Sequence, residues 1–71
     1  MKIWEMDLSA EGKIYKDDDE LLWEVSCGDL VGLDAEDHSK YIGVSAGGYY
    51  TALELQTKEF HEVKKGISNE N

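Results

Sequence analysis

Two acidic stretches, one cysteine and two histidines are the side chains of this 71-residue sequence that could do chemistry. Asp17-Asp18-Asp19-Glu20 sets four carboxylates in succession, and hard cations want several oxygens. On an extended chain, however, neighbouring side chains point to opposite sides, and the spacing of a calcium-binding loop, with its glycine and closing glutamate, is missing. The run reads as a solvated turn between two strands. Asp34 to His38, "DAEDH", offers carboxylates and an imidazole within five residues. A metal site recruits ligands from separate segments, and His61 is the one further imidazole, so this stretch reads as an acidic loop. Cys27 has Glu24 and Asp29 as its charged chain neighbours, whereas a working thiolate needs a cationic surrounding or a helix start. It reads as a small, half-buried thiol at a strand end, and His38 and His61 read as surface residues. No catalytic residue, metal site or cofactor is expected.

The elements that must position these groups are short. There is no proline and no repeat, and Gly12, Gly28, Gly32, Gly43, Gly47-Gly48 and Gly66 divide the chain into pieces of strand length, which suits a small sheet with tight turns. Lys2 to Met6 alternates like an edge strand. "EGKIYK" supplies a turn at Gly12 and a strand through Ile14 and Tyr15. In "LLWEVSCGDL", Leu21, Trp23 and Val25 share one face at period two, and a turn at Gly28-Asp29 joins this strand to Leu30–Leu33 as a hairpin. "DAEDHSK" is a polar loop, "YIGVS" a strand in which Gly43 marks a bulge or a close backbone approach, and "AGGYY" a flexible turn.

The last segment carries two patterns. Thr51 and Glu54 form a capping box, Glu54 and Lys58 are four apart, and Gly66 follows Lys64-Lys65, all of which suit one helix over 51–65. Leu55 falls off its apolar stripe and "EFHEV" alternates as a strand, so the reading adopted is a short helix near 51–57 followed by a strand near 59–64. The expectation is a strand-rich α+β fold: a small antiparallel sheet or partly open barrel of four to five short strands with one short C-terminal helix. Residues 1–66 make one domain and 67–71 a frayed tail.

Sixteen acids against seven lysines give a net charge of −9, all of it from residues 1–37, the remainder being neutral. Such a chain repels phosphate and anionic lipid, which excludes direct nucleic-acid and membrane-surface binding. A single cysteine, no secretory start and no run of about 20 apolar residues point to a cytoplasmic protein. Its aromatic residues outnumber what so thin a core hides. Trp23 and Phe60 are assigned to the core, and Trp4, Tyr41, Tyr49 and Tyr50 to a contact surface.

The order "EGKIYKDDDELLWEVSCGDL" followed by "EFHEV" resembles small, mostly uncharacterised phage and prophage proteins of Gram-positive bacteria, over residues 8–33 and 57–64. The resemblance implies a strand-rich domain and a viral origin, and carries no catalytic residue across. The function expected is a non-enzymatic protein-binding module, a phage-type acidic inhibitor of a host nucleic-acid-binding or defence protein. Asp17, Asp18, Asp19, Glu20, Asp34, Glu36 and Asp37 would imitate phosphates and meet a basic partner, with Trp4, Tyr41, Tyr49 and Tyr50 supplying apolar contact. The competing expectation is a small self-associating assembly protein that forms homo-oligomers through exposed aromatics and a free sheet edge. The first reading requires the acids to share one face and not to be neutralised by the chain's own lysines.

Overall fold

Alternating apolar residues between tight turns give the strands their boundaries. The computed structural model describes residues 1–64, and in it five strands form one antiparallel sheet. They are β1 (Ile14–Asp17), β2 (Leu22–Ser26), β3 (Asp29–Leu33), β4 (Tyr41–Ser45) and β5 (Phe60–Val63), in the spatial order β4-β3-β2-β1-β5. Two short helices, α1 (Ala46–Tyr49) and α2 (Ala52–Thr57), cross from β4 to β5. The short helix near 51–57 and the returning strand are thus both present. The expected tail and the stop at Gly66 lie outside the described residues.

Directly opposed residues share a sheet face, so register sorts the side chains. Tyr15 opposes Trp23, Val25 opposes Leu30, and Asp17 opposes Phe60. The apolar members of these pairs, with Ala46 and Tyr50 from the crossing segment, make the main core, onto which Ile3, Met6, Leu8, Leu21 and Leu55 pack. Each such large apolar side chain removed from water contributes about 1.5–3 kcal/mol. The opposite face holds a second cluster, Ile14, Leu22 and Leu33 with Val63 packed against it. β2 is therefore buried on both faces, Leu22 and Glu24 included, where the period-two reading gave it one inward face.

Three local expectations change. Lys2 to Met6 is a 3-10 helical turn over Ile3–Glu5, because the Glu5 carboxylate accepts from the Lys2 N–H (2.6 Å) and the Glu5 N–H reaches the Lys2 carbonyl (2.9 Å). Ile3 and Met6, three apart, then both point inward. "AGGYY" holds α1, because the Ser45 hydroxyl caps its start by accepting from the Gly48 N–H at 3.2 Å. The β2–β3 turn is Cys27-Gly28, both at positive φ (53° and 80°), as two-residue hairpins demand, and Cys27 is exposed. The capping box opens α2 as expected: Glu54 N–H to the Thr51 hydroxyl at 3.1 Å, and Thr51 N–H to the Glu54 carboxylate at 2.9 Å.

The two sheet edges differ. On β5, the Phe60 N–H donates to the Met1 carbonyl (2.8 Å) and the Met1 amino group to the Phe60 carbonyl (2.5 Å), with Lys2 paired to Glu59 at 2.8 Å. On β4, no further strand pairs among the described residues. Its register shifts between the Val31–Ser45 and Leu33–Tyr41 pairs, where Gly43 at φ 82° makes the bulge.

Candidate functional site

The acidic run turns out to be built into the fold. Asp17 ends β1 and is 1% exposed. One of its oxygens accepts from the backbone N–H groups of Asp19 (2.9 Å) and Leu21 (3.0 Å). The other accepts from Trp23 Nε1 (2.9 Å) and the Tyr50 hydroxyl (2.5 Å). Burial pushes this carboxyl up, but the bonds from Tyr50, Trp23, Leu21 and Asp19 outweigh it and hold it below the usual aspartate range. Tyr50, buried and donating to Asp17, is pushed well above the ordinary tyrosine value. Asp17 is therefore not solvated, and Tyr50 is not a contact residue. Both are internal parts of one polar network beneath the crossing segment.

The rest of the run is paired by the chain's own lysines. Lys58 lies 2.5 Å from Asp19 and 3.7 Å from Asp18, with its ammonium 4.7 Å from the centre of the Tyr50 ring. The hydrogen bond to Asp19 holds Lys58 above its ordinary value. Lys16 lies 2.9 Å from Glu20. In the β3–β4 loop, Asp34 accepts from the Glu36 and Asp37 N–H groups (2.8 and 3.0 Å), and Asp37 accepts from the Ser39 hydroxyl and N–H (2.6 and 3.0 Å). The Ser39 bonds lower the Asp37 carboxyl below its usual range. These are local turn closures of the kind short acidic side chains make.

The two acidic segments do come together in one respect. Leu22 pairs with Leu33 and Asp17 with Phe60, so the β1–β2 turn and the β3–β4 loop leave the same end of the sheet. Asp18, Asp19, Glu20, Asp34, Glu36 and Asp37 therefore gather at that end, beside Lys16, Lys40 and Lys58. Most of these carboxylates are engaged within the chain, so the end is a weaker imitation of phosphate than its composition implies.

Apolar exposure falls elsewhere. Trp4 is 67% exposed on the N-terminal turn, which packs beside α2 with its exposed Leu53. Tyr41, Ile42 and Val44 stand exposed along β4, and Tyr49 follows on α1. Ile42 leans over Gly32, close enough that a Cβ there would sit 2.7 Å from its Cγ1 and 3.3 Å from the Trp23 ring. The Tyr49 ring lies 5.9 Å from that of Trp23. Ile42 and Tyr49 thus flank the same buried indole. On the other side of the bulge, a shallow cleft of about 420 Å³ runs between Tyr41 and Val44 over Val31 and Gly32, and the Tyr41 hydroxyl reaches back to Glu24 at 2.5 Å.

Of the expected contact residues, Trp4, Tyr41 and Tyr49 are outward. Ile42 and Val44 were missed, although the lack of any charged residue in "YIGVS" was the signal available. Among the described residues no three His, Cys, Asp or Glu side chains converge as a metal site, and no helix is long and apolar enough to cross a membrane. Compared with family models, curated proteins and solved structures, this chain matches none.

Proposed function

We propose that this protein is a non-enzymatic binding module that engages a basic protein partner along the β4 side of its sheet. The observation that supports the reading is the contrast between the edges. β5 is capped by Met1 and carries His61 and Glu62 outward, as edges protected from pairing do, whereas β4 carries Tyr41, Ile42 and Val44. The acidic loop runs directly into β4, and a net charge of −9 favours encounter with a positively charged partner. A host nucleic-acid-binding protein inhibited at its basic surface is one partner of this kind. Here the apolar edge supplies the affinity and the carboxylates supply rate and orientation.

Affinity capture from lysate tests this with the wild type beside the Ile42→Asp/Val44→Asp double variant, whose fold is checked by circular dichroism because both side chains are partly covered. A basic protein held at low salt, released as salt rises and lost with the double variant, is the expected result. Capture that the β4 substitutions leave unchanged overturns the reading.

The same apolar edge favours a second reading, self-association through β4. Salt separates the two by sign. Two copies of charge −9 repel, so self-association strengthens as ions screen them, whereas attachment to a basic partner weakens. Sedimentation at both ionic strengths reads the difference.

A further inference from the structure

Resting on the β4 reading above, we infer that the partner is recognised through an extended basic segment that seats one apolar side chain in the cleft at the β4 bulge. Three features of the molecule converge on this chemistry. The bulge prevents β4 from offering a flat ladder, because residues 42–44 face the single position Gly32 between the two paired ends. What it offers instead is a recess between Tyr41 and Val44, floored by Val31 and Gly32 and edged by Ser26 and Ser45. Its walls are apolar at the centre and hydroxylic at the rim, the arrangement of a pocket for one aliphatic anchor flanked by main chain.

The cleft also has a charged end. Tyr41 follows immediately on the loop that carries Asp34, Glu36 and Asp37, with Lys40 as its own cation. Asp34 and Asp37 are oriented by their turn bonds, and the Glu36 carboxylate makes no hydrogen bond or ion pair among the described residues. A segment lying over β4 with its anchor in the cleft places its next residues against these carboxylates. Lysine or arginine there is attracted, whereas an acidic residue is repelled. The opposite end of the cleft, at Ser26 and Ser45, carries no charged lining residue, so the pairing is polar in direction: basic residues on the Tyr41 side of the anchor.

Backbone amide NMR shifts of the full chain, titrated with the peptide Ac-Lys-Lys-Leu-Thr-Thr-amide and its controls, provide the test. Shifts concentrated at Val31, Gly32, Gly43 and Val44 and in the 34–40 loop are expected. Replacing the peptide leucine by serine weakens binding by about tenfold, the worth of one buried aliphatic side chain. Replacing its lysines by glutamate, or Glu36→Lys in the protein, also weakens it, and Val44→Lys removes the cleft shifts. Binding that ignores the leucine, or shifts spread over all acidic surfaces, overturns the cleft as the anchor site. If sedimentation shows instead a second copy occupying β4 and excluding the peptide, the inference also fails. The β4 variants in the capture experiment judge the binding-module reading independently. Loss of capture without any peptide shift sinks this inference alone.

Discussion

Replacing Asp17 by asparagine isolates what the first carboxylate of the acidic run does. The amide keeps one acceptor oxygen and turns an NH2 group toward either the Trp23–Tyr50 side or the Asp19–Leu21 side. In either orientation two donors face a donor. A buried donor left without an acceptor costs about 1–3 kcal/mol, so D17N loses about 2–6 kcal/mol. A chain of 71 residues has roughly 4–11 kcal/mol of net stability to lose from. Each kcal/mol lowers the midpoint of a domain this small by roughly 4–8 °C, so thermal unfolding shifts down by at least about 8 °C. The pH dependence fixes the cause. Asp17 titrates below the ordinary aspartate value of 3.8 when folded, so its contribution is fully present above that value and is lost as pH falls through the depressed one. Denaturant unfolding followed by tryptophan fluorescence should therefore show the gap between parent and D17N narrowing from pH 7 towards pH 2. A D17N protein within about 0.5 kcal/mol of the parent at pH 7, or a gap that does not change with acid, refutes the network.

Four further outcomes are expected. Tyr50 ionises only well above 10, so its share of stability is complete below pH 10 and is lost at more alkaline pH. Ultraviolet titration should leave Tyr50 silent until the chain unfolds, and Tyr50→Phe should remove that silent signal at a cost of about 1–2 kcal/mol. Cys27→Asn, in a turn whose two central residues both lie at positive φ, should stabilise the hairpin by about 0.5–1 kcal/mol, measured by denaturant midpoint. Gly43→Ala should cost about 1–2 kcal/mol through its backbone alone, since nothing lies within 4 Å of the added Cβ, while Gly47→Ala within α1 should stabilise by about 0.5–1 kcal/mol.

The parts of the fold that were legible in the sequence were those set by local chemistry. Alternation placed β2 and buried Trp23, the Thr51–Glu54 box started α2, and the alternation of "EFHEV" placed β5, although within α2 it is Leu55 that packs inward and Leu53 that is exposed. What alternation cannot report is a contact between distant segments. Asp17 looks like its neighbours Asp18 and Asp19 because its acceptor role depends on Trp23 and Tyr50, six and thirty-three residues away. Lys58 neutralises the same turn from thirty-nine residues away. Tyr49 and Tyr50 are identical by type and adjacent, yet Tyr49 is exposed and Tyr50 buried, where its hydroxyl donates to Asp17, a contact that composition does not report. Lys2 to Met6 misled because a pattern that fits period two also fits inward positions three apart.

The unequal edges set a limit on assembly. A sheet with two bare edges can add neighbours on both sides and run on into a fibre, whereas here Met1 has already taken the first rung of β5. Whatever docks on β4, a foreign segment or a second copy, finds no equally open strand at the opposite edge, where the Phe60 rung is already filled, so growth by strand pairing is hindered on that side.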